Sequence, residues 1–74
     1  KRQKMEGNLK NHIKVWRAKN DMTQADLAKA IGSSRQAVHA IEKGKYVPST
    51  LLALKIARVF DTSVEKVFQI ADDL

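Results

Sequence analysis

Apolar side chains recur along this chain at intervals of three and four, and seldom alternate with polar ones, so the pattern predicts helices and no sheet. Leu9, Ile13 and Trp16 set the stripe of a first helix over roughly residues 9 to 20, with Asn20-Asp21 as its break. Thr23 is placed to N-cap a second helix and Asp26, three residues on, to complete a capping box. Leu27, Ala28 and Ile31 form its inward stripe, and Gly32 suits the left-handed backbone past a helix end. Ser34 caps a third helix through about Lys43, with Val38 and Ile41 inward and Gly44 as its stop. A fourth follows Pro48, with Ser49 as cap, and runs to about Phe60. Ser63 caps a short fifth, where Glu65 favours the helix start and Val64, Val67 and Phe68 are apolar.

The fourth helix departs from ordinary amphipathicity. Ala53, Leu54, Ala57 and Phe60 share one face, Leu52, Ile56 and Val59 another, and only Lys55 and Arg58 form a polar strip. A helix apolar nearly all round belongs at the centre of a core, or else turns part of its surface to a second subunit. The fold expected is all-α, a compact five-helix domain.

Seventy-four residues hold one such domain and no more, and with only four aromatic residues its core must be chiefly aliphatic. Residues 1 to 8 are expected as a flexible basic segment, 9 to 70 as the folded domain and 71 to 74 as a tail. The Lys1, Arg2, Lys4 cluster precedes Met5 and reads equally as an arm touching phosphates or as an appended end. Without cysteine there is no disulfide or thiolate metal site, which fits a reducing compartment. The longest aliphatic run, Leu51 to Leu54, is far short of a membrane span, and no apolar leader follows the charged N-terminus. A cytoplasmic protein without a membrane partner is expected.

Charge is unevenly distributed. Residues 1 to 45 hold 11 Lys and Arg against 4 Asp and Glu, a net +7, whereas residues 46 to 74 hold 3 against 4, a net −1. A basic half gains affinity for nucleic acid by releasing condensed counterions. The second and third helices, joined by a three-residue turn containing Gly, have the spacing of a helix-turn-helix, helix 2 over about 23–31 and the recognition helix over about 34–43. With Val38 and Ile41 inward, Gln36 and Lys43 point outward, His39 and Ala40 flank them, and Arg35 lies in the exposed first turn. Arg pairs with guanine O6 and N7, Gln with adenine N6 and N7, and the Ala methyl packs on a thymine methyl. Arg35, Gln36, His39 and Ala40 are therefore the candidate base readers.

Other chemistry finds little support. His12 and His39 have no Cys or carboxylate at a metal-ligand spacing. Ser33, Ser34 and His39 lack an oxyanion-hole signature, so capping is the better role for the serines. No catalytic residue, metal or cofactor is assigned. Trp16 continues the apolar stripe of helix 1 and reads as core rather than as a base-stacking platform.

The order TQADLAKAIG, SSRQAVHAIEKGK and VPSTLLALKIARVF closely resembles the helix-turn-helix of the Cro and CI repressor class, the XRE family, over about residues 9 to 70. The resemblance is closest to the compact single-domain bacterial regulators and implies the lambda-repressor-like DNA-binding fold. It also implies that Gln24 bonds a phosphate and braces the recognition helix, that Arg35, Gln36 and Ala40 contact bases, and that Lys43 and Lys45 lie by the DNA backbone. Ser34, at the start of the recognition helix, joins this phosphate set. Arg17 and Glu42 match a structural ion pair of the family, and Glu42 lies about 70° from the inward stripe, on a flank.

The function so implied is a non-enzymatic, sequence-specific transcriptional regulator, a repressor that binds double-stranded DNA as a homodimer on a palindromic operator. The alternative is an antitoxin-like or adaptor module whose main partner is a protein. No small-molecule effector site is evident, and adhesion to an anionic membrane lacks a basic amphipathic helix with aromatic residues facing lipid.

Overall fold

The computed structural model describes residues 9–71. The elements run β1 (Leu9–Asn11), α1 (Ile13–Lys19), α2 (Gln24–Ile31), α3 (Arg35–Glu42), α4 (Thr50–Val59), α5 (Val64–Val67) and β2 (Phe68–Ile70). The expected basic segment 1 to 8 and residues 72 to 74 of the expected tail lie outside the described residues.

Starts and stops follow local chemistry. The Thr23 hydroxyl accepts from the Asp26 amide while the Asp26 carboxylate accepts from the Thr23 amide, a complete capping box. Ser34 caps α3 and Ser49 caps α4 in the same way, each hydroxyl accepting from the amide three residues on. Four of the five helix ends share one device. Past α2, Gly32 takes φ +69° while the Ser33 amide reaches the Ala28 carbonyl and the Gly32 amide that of Lys29. This six-to-one and five-to-two pattern satisfies carbonyls that the helix leaves unpaired. It recurs past α3, where Gly44 has φ +77° and the Lys45 amide reaches the Ala40 carbonyl. It recurs again past α1 and α4, where Asp21 and Asp61 hold φ +59° and +56°.

The core gathers Ile13, Leu27, Ala28, Ile31, Val38, Ile41, Ile56, Ala57, Phe60, Val67 and Phe68. Every helix contributes to it. Trp16 is half-buried beside this cluster, stacked on Phe60 at 6.0 Å between centroids, and its indole N–H donates to the Lys66 carbonyl. Lys19 lies 4.4 Å from the centre of the same ring. The described residues include no group of three or more His, Cys, Asp and Glu close enough to hold a metal.

Three expectations are corrected. Residues 9 to 11 do not begin the first helix but form β1, antiparallel to β2 with Leu9 opposite Ile70, Lys10 opposite Gln69 and Asn11 opposite Phe68. The helix begins only at Ile13, whose amide donates to the Asn11 side-chain oxygen. A small sheet thus ties the two ends of an otherwise helical domain, reinforced by the His12 amide donating to the Val67 carbonyl at 2.8 Å. Ser63 occupies the N-cap position of α5 without a side-chain cap bond. The expectation of a centrally buried α4 holds only in part: Ile56 and Ala57 are buried, whereas Leu54, which the pattern grouped on one face with Ala57 and Phe60, is exposed together with Leu51.

Candidate nucleic-acid interface

Helix α3 is fastened inward by Val38 and Ile41, which are fully and nearly fully buried. That anchoring turns Arg35, Gln36 and His39 to the exposed side, leaves Ala40 half-buried between the faces, and exposes Lys43 and Lys45 at the far end. Ser34 is exposed at the near end with its oxygen engaged as the cap. The sequence-derived set therefore lies along one helix and the turn that follows it. The other members, Gln24 and Arg17, come from α2 and α1.

A polar relay links these elements. Arg17 Nε donates to Glu42 Oε2 at 2.7 Å and Arg17 Nη2 to Oε1 at 3.1 Å, a two-pronged pair with side chains only 14% and 10% exposed. A third guanidinium bond, Nη1 to the Met22 carbonyl at 3.0 Å, ties the α1–α2 connection to the same group. Glu42 Oε1 also accepts from Gln24 Nε2 at 3.1 Å. Gln24 Oε1 in turn accepts from Arg35 Nη1 at 3.3 Å.

The relay has a definite polarity. Burial alone would raise the Glu42 pKa, but the hydrogen bonds from Arg17 and Gln24, with the charges of Arg17 and His39, outweigh it and hold the carboxyl below the ordinary glutamate range. An ionised carboxylate only accepts, so Gln24 must present its NH2 to Glu42 and its oxygen outward. That oxygen then faces the Arg35 guanidinium. The same Gln24 NH2 lies 3.4 Å from His39 Nδ1, which accepts from it when that ring nitrogen carries a lone pair. Glu42 therefore reaches the outward face through the Gln24 amide, without itself pointing there.

Electrostatically, Glu42 is the only carboxylate on α3, and Arg17 neutralises it. Arg35 and Lys43 are left to set the sign of the surface, which is positive. Two residues on this cleft escaped sequence reasoning. Lys14 lies one turn before Arg17 on α1 and lines the cleft with Arg35, His39 and Lys43. Asn11 lines it too, donating from Nδ2 to the Ile41 carbonyl at 3.0 Å, which pins the end of α3 to β1. Lys14 was detectable as a cation three residues from Arg17 on the same helix face. Asn11 had no such signal, because its role depends on the strand.

A positive helix face presented by a two-helix corner is the arrangement of a helix-turn-helix. Comparison with known proteins places it. The Helix-turn-helix family model matches residues 13–67. An HTH-type transcriptional regulator of Methanocaldococcus jannaschii is 52% identical over 65 residues, spanning 88% of this chain and 98% of its own. The HTH-type transcriptional regulator YgzD of Bacillus subtilis is 46% identical over 65 residues, with 88% and 98% covered. Among solved structures, the P22 c2 repressor in complex with a synthetic operator superposes with a TM-score of 0.70 at 24% identity, over 85% of this chain and 91% of that one. A Bacteroides fragilis protein superposes at 0.74, also at 24% identity, over 82% and 98%. These two structures share the fold. The chain belongs to the Cro/CI-type (XRE) helix-turn-helix family of DNA-binding transcriptional regulators.

Proposed function

We propose that the protein is a sequence-specific repressor that places α3 in the major groove of a palindromic operator and binds there as a homodimer in the cytoplasm. The observation that carries this reading is the outward face of α3, where Arg35, Gln36 and His39 are exposed and the only acidic residue of the helix is neutralised by Arg17. Arg35, Gln36, His39 and Ala40 read base edges. Gln24, Ser34, Lys43 and Lys45 meet phosphates, and the Arg17–Glu42 pair holds the recognition helix on α1. One such helix spans only a few base pairs, so two copies, set about 34 Å apart on one side of the duplex, supply the remaining specificity.

The residue roles separate in a titration of variants against bound and random DNA. Arg35→Ala is expected to cost on the order of 1 to 3 kcal/mol on the preferred site and to relax preference at one base pair. Lys43→Ala is expected to weaken every sequence by a similar factor. Equal losses on preferred and random DNA for both variants would remove Arg35 from the base-reading set.

A further inference from the structure

The outward face of α3 carries one side chain whose hydrogen-bonding character is settled by its neighbours. His39 is exposed one turn beyond Arg35, on the side of the helix that Val38 and Ile41 leave free. A neutral imidazole has one N–H and one lone pair, and either ring nitrogen can hold the proton. A base edge in front of His39 therefore meets a donor in one tautomer and an acceptor in the other.

The choice between the two is made at the far end of the relay. Glu42 is paired with Arg17 and its carboxylate only accepts, so Gln24 turns its NH2 toward Glu42 Oε1 at 3.1 Å. That NH2 has a second hydrogen, and His39 Nδ1 lies 3.4 Å from its nitrogen. A proton on Nδ1 would set two donors face to face. Reversing the amide to relieve them would turn the Gln24 oxygen on the Glu42 carboxylate and its NH2 on the Arg35 guanidinium, which now donates to that oxygen at 3.3 Å. Both alternatives lose hydrogen bonds that the observed arrangement keeps. Nδ1 thus carries the lone pair and Nε2 the proton. Nε2 has no hydrogen-bond partner among the described residues, so its N–H is left for a base edge.

We infer that His39 is a specificity-determining residue for guanine, presented as an outward Nε2–H donor because Glu42, acting through the Gln24 amide, keeps the proton off Nδ1. The inference deepens the base-reading face proposed above and rests on it, by naming the base that one of its members selects. Guanine alone shows two acceptors, O6 and N7, on its major-groove edge; adenine sets a donor beside its N7, thymine has one acceptor beside a methyl group, and cytosine offers the N4 donor. A single outward donor favours guanine and is turned away by cytosine. Gln24 is then a positioning residue as well as a phosphate contact. Its loss frees the His39 tautomer and blunts one base pair, whereas loss of a phosphate contact alone weakens every sequence alike.

Two measurements on the full chain test the assignment. Nitrogen chemical shifts of the imidazole rings, read without DNA at about pH 8, above the ordinary histidine value of about 6.5, give the tautomer. Wild-type His39 is expected with its proton on Nε2. Gln24→Met, which keeps the side-chain length and leaves the Arg17–Glu42 pair in place, is expected to raise the Nδ1–H fraction at least twofold. His12, beside Gln69 of β2, is the reference, and its shifts are expected to stay unchanged. Selection of fragments from random DNA then locates the base pair that loses its preference in His39→Ala. Guanine is expected there in wild type, and its preference over cytosine is expected to fall at least threefold more in Gln24→Met than preferences elsewhere in the site. The wild-type tautomer and the wild-type base need no variant, so they decide whatever a substitution does to folding. A proton on Nδ1, a tautomer balance indifferent to Gln24→Met, cytosine at the His39 base pair, or a Gln24→Met loss equal at all positions would each overturn the proposal. Either tautomer failure, in a protein that still selects a sequence, would sink the relay and leave the DNA-reading helix standing. The expected tautomer in a protein that selects no sequence would sink the reading of bases by α3, and this role of His39 with it.

Discussion

Glu42 shows how one side chain can tie three helices together. Its carboxylate receives two bonds from Arg17 and one from Gln24 in a setting where both charged groups are nearly out of water. Removing Glu42 leaves the partly buried Arg17 charge without its counter-ion, so Glu42→Ala is expected to cost about 2 kcal/mol and, for a domain of this size, roughly 8 °C or more in Tm. The sign of the pH effect follows from the direction of the shift. A native pKa below the unfolded value means that the unfolded chain binds the proton more readily as the medium turns acid. The contribution is therefore fully present above the unfolded glutamate value of about 4.3, and is lost as pH falls through the lower native value. Denaturant unfolding between about pH 5 and pH 3 should show a flatter pH dependence in Glu42→Gln than in wild type; matching slopes would remove Glu42 as the titrating group. At this scale the sequence named Gln24, Arg35, His39 and Glu42 separately. That an amide of fixed polarity joins them depends on distances between three helices, which no spacing along one helix encodes.

The elements were legible where a local rule controls them and hidden where pairing does. The capping box at Thr23 and Asp26, the Ser34 and Ser49 caps and the Gly32 and Gly44 stops are all written in short-range chemistry, and the structure carries each of them. The two strands are three residues each, too short for alternation to show, and Leu9 falls four residues before Ile13, where a helix stripe fits as well as a strand. The exposure of Leu54 was hidden for a related reason, since an apolar pattern all round a helix does not say which side meets the core. The four equivalent helix ends give an internally controlled prediction. Nothing lies within 4 Å of a Cβ built on Gly32, so Gly32→Ala is charged only the left-handed backbone, about 1 kcal/mol. Asp21 holds the same left-handed conformation with a side chain, so Asp21→Gly should stabilise by up to about 1 kcal/mol. Thermal unfolding of the two variants reads both signs; a stabilised Gly32→Ala would show that the backbone term does not control these ends.

At the scale of the whole molecule, a basic half that carries α3 is joined to a near-neutral half with open apolar surface on α4. No described helix is long and apolar enough to cross a membrane. With six or more phosphates met by a dimer, log K should fall with log salt at a slope of about −5 or steeper, measured by titration across salt concentrations. A slope near zero would mean that the basic half does not lie along a polyanion. The charge asymmetry and the helix pair were readable from the sequence, whereas the uncovered surface on α4 emerged only once Ile56 and Ala57 had taken the core side of that helix. The central claim is that the outward face of α3 selects a base sequence, and selection of bound fragments from random double-stranded DNA tests it most directly. The account predicts enrichment of one motif with two inverted half-sites about one helical turn apart, degraded at a single position of each half-site when Arg35→Ala replaces wild type. Recovery of fragments with no shared motif, at concentrations where the protein binds DNA, would contradict it.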